Sequence, residues 1–588
     1  MMQRKFDGAN ADVAGRPRAA GVGGCEGLIF ASLLGAALNI LAYGFDYGHE
    51  NHPFELPMLN WLRDPSLYPG DAIRDGFSRF PTVFWNLIAL LPHRWNIEAI
   101  LFVFFLLTKV LFFFGLAWIN RWATSDLRFA RVAAVLIAVS PALNGRSPFG
   151  ADHILAATQT HTPLAIALLV CAGAGLLERR WIVATFLAVA GLYFSAPYAI
   201  YMLFAFAVFA VLDWRTRRNG VVLAAGFGAA LSAPWVILNR AHVTGRFPPD
   251  YIRALLSFYP ENLRLSTHSP FVLLLGIAFL AVVLVVVAWA HLRSAAPDLR
   301  LELMALSFLA PVSMGAVAGE FFLTPRIANF ELLRADSFLL FYSAVLLLVS
   351  VYRLADRGLI PLRAVVLPLA ILAFAAPRDG LHMLLLVLGL QIALWREFWN
   401  CLGACRRWLG DRPLPVWIER GIQAGVGVVL IAVYGALIVL ASHTWNPRAR
   451  FSIYNWDQDP WLSLQTWARL NTAKDAFFLV PTDTEGFRAF SYRSSWGEWK
   501  DGTAIYLYPP FADIYLQRMS EVGWRTPPDL RIPNVLKHRY ESQSWETLFT
   551  IARRNNLQFI VQYREVSYPA TPVYENSVFS VYRVPASP

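Results

Sequence analysis

Thirty residues near the N-terminus, from Asp46 to Asp75, gather four Asp, two Glu and two His. The stretch opens with Asp46-Tyr47-Gly48-His49-Glu50-Asn51-His52-Pro53-Phe54-Glu55, directly behind an apolar run. Carboxylates and imidazoles move protons near neutral pH and ligate divalent metals. Asp46 reads either as a helix-end cap in a solvated loop or as a general base or metal ligand. Glu55 is the second catalytic carboxylate, and His49, Glu50 and His52 are further partners. His49 and His52 stand three apart, which puts two imidazoles on one helical face, although Pro53 bounds such a helix. The metal reading is a divalent ion held by Asp46, His49 and His52.

The elements that must carry this stretch are set by composition. Of 588 residues, 56% are hydrophobic and only 15% charged, and the mean hydropathy is +0.45. A soluble domain is about half apolar and about a quarter charged. Up to residue 440 the charges fall in short clusters between apolar segments, and from Asn446 onward they are evenly spread. The net charge of +11 sits mostly in short loops between apolar runs, which anionic lipid and the positive-inside rule favour. No basic helix fits a groove, so nucleic acid is excluded as a partner. Cys25 and Cys171 sit in or beside apolar runs, and Cys401 and Cys405 share a loop read as cytoplasmic without further ligands nearby. Residues 446–588 have no cysteine and hence no disulfide.

Crossing the hydrocarbon core takes about 20 apolar residues, and by that criterion about 13 spans are expected. They run 27–44, 97–119, 131–146, 158–177, 181–195, 197–212, 221–238, 270–291, 301–318, 337–352, 361–376, 380–395 and 421–441. With the N-terminus cytoplasmic, the inner segments hold about 22 basic residues against about 12 in the outer loops. The expected fold is a polytopic α-helical membrane protein in the inner membrane. It has a tail at 1–26, a helical body at 27–441 with a first outer loop at 45–96, and an extracytoplasmic α/β domain at 446–588. The first span reads as uncleaved, and no internal repeat is visible. Residues 56–62 and 72–88 mix apolar and charged side chains, as interfacial helices do.

This layout resembles the GT-C superfamily of membrane glycosyltransferases, with Asp46 standing directly after the first helix. Asp64-Pro65-Ser66-Leu67-Tyr68-Pro69-Gly70-Asp71 also resembles a string of an uncharacterised bacterial membrane group related to that superfamily. Asn471-Thr472-Ala473-Lys474-Asp475-Ala476-Phe477-Phe478-Leu479-Val480-Pro481 and Phe487-Arg488-Ala489-Phe490-Ser491 are similar to that group as well. The resemblance implies transfer of a sugar from a polyprenyl-phosphate donor at the outer face, with Asp46 as base or metal ligand. The chain departs from the superfamily in having Tyr47, not a second acid, after Asp46.

A phosphate leaving group needs cations at that face, and Arg326 and Arg334 are the expected contacts. Asp152, His153 and His161 are expected to face the same cavity. Lys109 falls mid-span, where charge is expensive and often functional. Ion-coupled carriers place several ionisable groups at that depth. The alternatives are a transporter or flippase of a lipid-linked substrate, and a scaffold presenting the C-terminal domain.

In that domain, helices are expected at 461–470 behind an Asp459 cap, at 511–522 and at 545–553. Strands are expected at 476–480, 559–562 and 578–584. The aromatic stretch 492–508 suits docking against the membrane body, or sugar rings.

Overall fold

The computed structural model describes residues 23–244, 247–292, 298–356, 459–524 and 535–585, with six positions between 385 and 392. Helix α1 (Gly23–Tyr43) leads into the acidic loop, whose principal helix is α2 (His52–Arg63). Helices α3 (Ile97–Thr124), α4 (Leu127–Val139), α5 (His161–Leu177) and α6 (Trp181–Phe194) follow. The side chain of Asn96 caps α3, and Ser125 ends it in the left-handed region.

Helix α7 (Ala196–Thr244) breaks at Arg217, where φ is −137°. Its two halves flank the same neighbour. Phe206 meets the Trp181 ring at 6.0 Å, and Tyr193 Oη donates to the Leu231 carbonyl at 2.9 Å. The chain therefore doubles back at Arg217, beside the basic cluster expected to separate two spans. Arg300 grips Asp213 with both terminal nitrogens at 2.9 and 3.1 Å and ties this turn to the bundle. Helices α8 (Tyr251–Phe258), α9 (Pro270–Leu292), α10 (Arg300–Phe321) and α11 (Asp336–Asp356) complete the described bundle.

Among the described residues, six helices are long and apolar enough to cross a membrane. On α9, Phe271, Leu274, Leu275, Leu284 and Val285 point outward, an apolar surface suited to lipid and not to water. The protein is a membrane protein on this ground. The expected spans at 131–146, 158–177 and 181–195 correspond to helices of only 13, 17 and 14 residues. Those expected at 361–376 and 421–441, Cys401 and Cys405, and most of 380–395 lie outside the described residues.

In the C-terminal region, Asp459 caps α12 (Pro460–Asn471), accepting from the Trp461 and Leu462 amides at 2.8 and 3.2 Å. The sheet has the order β2-β1-β3-β5-β4. Its members are β1 (Phe477–Leu479), β2 (Ser494–Ser495), β3 (Phe559–Tyr563), β4 (Tyr574–Glu575) and β5 (Phe579–Arg583). Strand β1 runs parallel to β2 and β3, while β5 is antiparallel to β3 and β4. Helices α13 (Phe487–Ser491), α14 (Phe511–Glu521) and α15 (Trp545–Arg554) complete it.

The principal helix of the first loop is packed inside the protein. His52 to Leu59 are buried, and Phe54, Leu59, Phe77 and Trp85 share one core with Tyr251, Ala504, Phe511 and Tyr515. Apolar side chains of the loop enter this core, while Asp64 and Asp71, between the two stretches read as interfacial, meet Lys474 and Arg488, and Leu87 and Leu90 stay exposed.

At its centre is Arg488, only 1% exposed. Its Nε donates to Asp71 at 2.6 Å, and Nη1 reaches Glu498 at 3.0 Å and Asp501 at 2.7 Å. Nη2 donates to the Ser495 carbonyl at 2.6 Å. Burial pushes the Glu498 and Asp501 carboxyls upward, and the Arg488 guanidinium pulls against that shift. Around it, Tyr68 Oη donates to the Arg488 carbonyl at 2.9 Å, and Lys474 donates to Asp64 at 2.6 Å. The three quoted strings thus meet one another.

Replacing Arg488 with Ala leaves buried carboxyls without their cation, a loss of about 3–5 kcal/mol. Thermal unfolding of the detergent-solubilised protein should fall accordingly, and limited proteolysis should release the C-terminal region. An unchanged transition would break this assignment.

Candidate functional site

A cavity of about 580 Å³ lies where the helix ends, the first loop and the C-terminal region meet. Asp46, Glu55, Asp152, His161, Arg326 and Arg334 all line it, joined by Lys500 and Tyr506 from the far end of the sequence.

Backbone pairing fixes Asp46. Its amide donates to the Ala157 carbonyl at 2.9 Å, and it forms a parallel bridge with Thr158. Its carboxylate accepts from His49 Nδ1 at 2.7 Å. This hydrogen bond holds the His49 imidazole above its ordinary value, against the opposing effect of burial.

His52 does something different. Its Nδ1 accepts from the Gly48 amide at 2.8 Å, and Nε2–H donates to the Gln159 carbonyl at 2.9 Å. Both nitrogens are committed in a completely buried ring, and burial pushes its pKa down. Helix α2 starts only at His52, because Pro53 is accommodated in a first turn whose amides need no helical acceptor, so His49 shares no helical face with it. The expected metal set of Asp46, His49 and His52 therefore does not converge. Among the described residues, no three His, Cys, Asp or Glu side chains are arranged to hold an ion.

Glu55 is buried in the cavity wall. Its Oε2 accepts from Trp85 Nε1 at 2.7 Å, while Oε1 stands 3.1 Å from His161 Nδ1. His161, the first residue of α5, packs edge-on against Phe80 at 5.0 Å. Glu55 thus stands beside an imidazole of the wall at ion-pair distance, without a hydrogen bond to it.

The opposite wall is built on residues 147–160. Asp336 accepts from the Phe149 and Gly150 amides at 2.6 and 3.0 Å and from the Ser147 hydroxyl. A Cβ on Gly150 would lie 2.3 Å from the Leu333 carbonyl oxygen, so only glycine fits there. Lys109 extends from α3 to the Ala156 carbonyl at 2.8 Å and holds the same segment, so this mid-span charge is structural.

Arg334 is expected to hold a phosphate, and its surroundings say otherwise. It donates to Glu331 at 2.6 Å, Asp152 at 3.1 Å and Tyr198 Oη at 2.8 Å. Two carboxylates already outbalance its charge, so it braces the wall with Asp152. Arg326 is exposed at the rim, with no ion pair among the described residues. Lys500, Arg146 and Glu331 were not picked out from sequence. Arg146 closes an expected span, and Lys500 is a single cation in an aromatic stretch read as docking, so neither has a linear signature.

Residues 459–507 match the family described as a domain of unknown function, DUF6798. That stretch carries Lys474, Arg488, Glu498, Lys500 and Asp501. No curated protein matches the chain.

Because the His49 pKa is raised, its pairing with Asp46 contributes stability fully below the ordinary value of 6.5, and that contribution is lost as pH rises through the raised value. Histidine-selective NMR should show His49 titrating above 6.5, and Asp46→Asn should lower it. A wild-type His49 titrating at or below 6.5 would contradict the pair.

Proposed function

We propose that this cavity transfers a sugar from a polyprenyl-phosphate donor to an acceptor hydroxyl, in the manner of a GT-C-like glycosyltransferase. The observation that carries the reading is the convergence of Asp46 and Arg326 on one cavity at the ends of the apolar helices. Asp46 accepts the proton of the acceptor hydroxyl while His49 fixes its orientation. The acceptor oxygen forms a bond to the anomeric carbon, the bond from that carbon to the phosphate oxygen breaks, and the lipid phosphate departs toward Arg326. His161, beside Glu55, lines the pocket for the polar face of the sugar, and Phe80 and Tyr259 offer ring faces. No step runs through a metal.

The proposal places the cavity and the C-terminal region outside the cytoplasm, on the inner membrane. Its support is the charge at the other end of the bundle, where Arg121, Arg128, Arg179, Arg180, Arg217 and Arg353 gather.

Asp46→Asn should lower transfer from a labelled polyprenyl-phosphate sugar by about 10²–10⁴-fold at equal protein level, as loss of a general base does. Wild-type rates in that variant would end the catalytic reading. For orientation, a cysteine introduced by Ser542→Cys at an exposed site should react with a membrane-impermeant maleimide in intact cells. Labelling only after lysis would place the region inside.

A further inference from the structure

We propose that Lys500 is an anion-binding residue and receives the substrate phosphate opposite Arg326, so that the C-terminal region supplies part of the site. This rests on the reading of the cavity as a lipid-phosphate site, and it adds a ligand contact that the reading does not require.

The argument starts from a cation without a counter-ion. Lys500 lines the cavity and is only 5% exposed. Among the described residues no carboxylate or carbonyl accepts from its ammonium. Glu485 lies within its field but outside ion-pair distance. The Tyr259 and Trp499 rings stand 5.4 and 5.3 Å from Nζ. Ring faces offset about 0.5–2 kcal/mol of the cost of shielding an ammonium, less than an anion does. Of the other basic side chains around the cavity, Arg326 likewise has no ion pair among the described residues but is exposed, whereas Arg334 has two carboxylates and Arg146 has Glu261 at 3.9 Å.

Local structure leaves Lys500 little freedom to leave. It sits in the 3₁₀ turn Trp499–Gly502, closed by a capping box between Glu498 and Asp501. Those two acids are partners of Arg488. The Trp499 amide donates to the Thr482 carbonyl at 3.0 Å, and a Cβ on Gly502 would lie 2.4 Å from the Phe258 ring. The buried cluster therefore aims the ammonium into the cavity. Lysine binds phosphate as a compact point charge, and arginine's planar fork matches phosphate and carboxylate alike.

The test uses full-length protein in lipid nanodiscs and a fluorescent short-chain polyprenyl phosphate. Lys500→Gln should weaken binding by about tenfold or more, and Lys500→Arg should retain most of it. Competition by inorganic phosphate would make the ligand a soluble phosphate, and failure to compete would make it lipid-borne. Either result keeps Lys500 as a phosphate contact. Binding by Lys500→Gln within about twofold of wild type would overturn the proposal. Without phosphate, Lys500→Gln should unfold at or above the wild-type temperature, because an uncompensated buried charge is gone. A lower temperature would make Lys500 a structural ring contact and also overturn it. If Asp46→Asn transfers normally while Lys500→Gln loses binding, the transferase reading fails and the anion site stands. If Asp46→Asn is inactive while Lys500→Gln binds normally, the anion site fails alone.

Discussion

A single guanidinium, buried beneath three acids, holds the architecture of the site in place. Arg488 joins Asp71, from the loop behind the first helix, to Glu498 and Asp501, more than 400 residues later. A buried charge network of this kind is tolerable only when fully satisfied, and here every arm has a partner. The consequence is register. With Asp71 fixed, α2 is clamped between the bundle and the C-terminal region. With Glu498 and Asp501 fixed, the turn bearing Lys500 is clamped too.

The helical body contributes a second set of constraints through residues 147–160. Asp336 and Lys109 reach this segment from two different helices, and Arg334 braces it through Asp152. Backbone pairing then transmits its position to Asp46. Two carboxylates of the cavity are therefore held by opposite means. Asp46 is set through its main chain, whereas Glu55 is set through the hydrogen bond that its side chain accepts from Trp85.

Cations in the cavity separate by what surrounds them. Arg334 carries more negative than positive charge in its immediate shell and shapes the wall. Lys500 and Arg326 have no such carboxylates among the described residues. Electrostatic binding of an incoming anion depends on this difference, since a neutralised guanidinium has little field left to offer.

Much of this chain is written locally. Apolar segments dictate helices that bury themselves in lipid or in one another, because backbone polar groups cannot remain unpaired there. The Asp459 cap, the short strand at Phe477–Leu479 and the break beside Arg215, Arg217 and Arg218 are likewise read from neighbours in sequence. So is the concentration of acids behind the first helix. What sequence could not supply was the pairing. Asp71 reads as one acid among several until Arg488 is seen against it. His52 reads as a ligand until both its nitrogens are found spent on backbone groups. Arg334 reads as a phosphate contact until Glu331 and Asp152 are found upon it. The physical reason is one of range. Hydropathy and helix propensity act over a few residues, whereas the charge state and availability of a side chain depend on whatever the fold brings within a few ångströms.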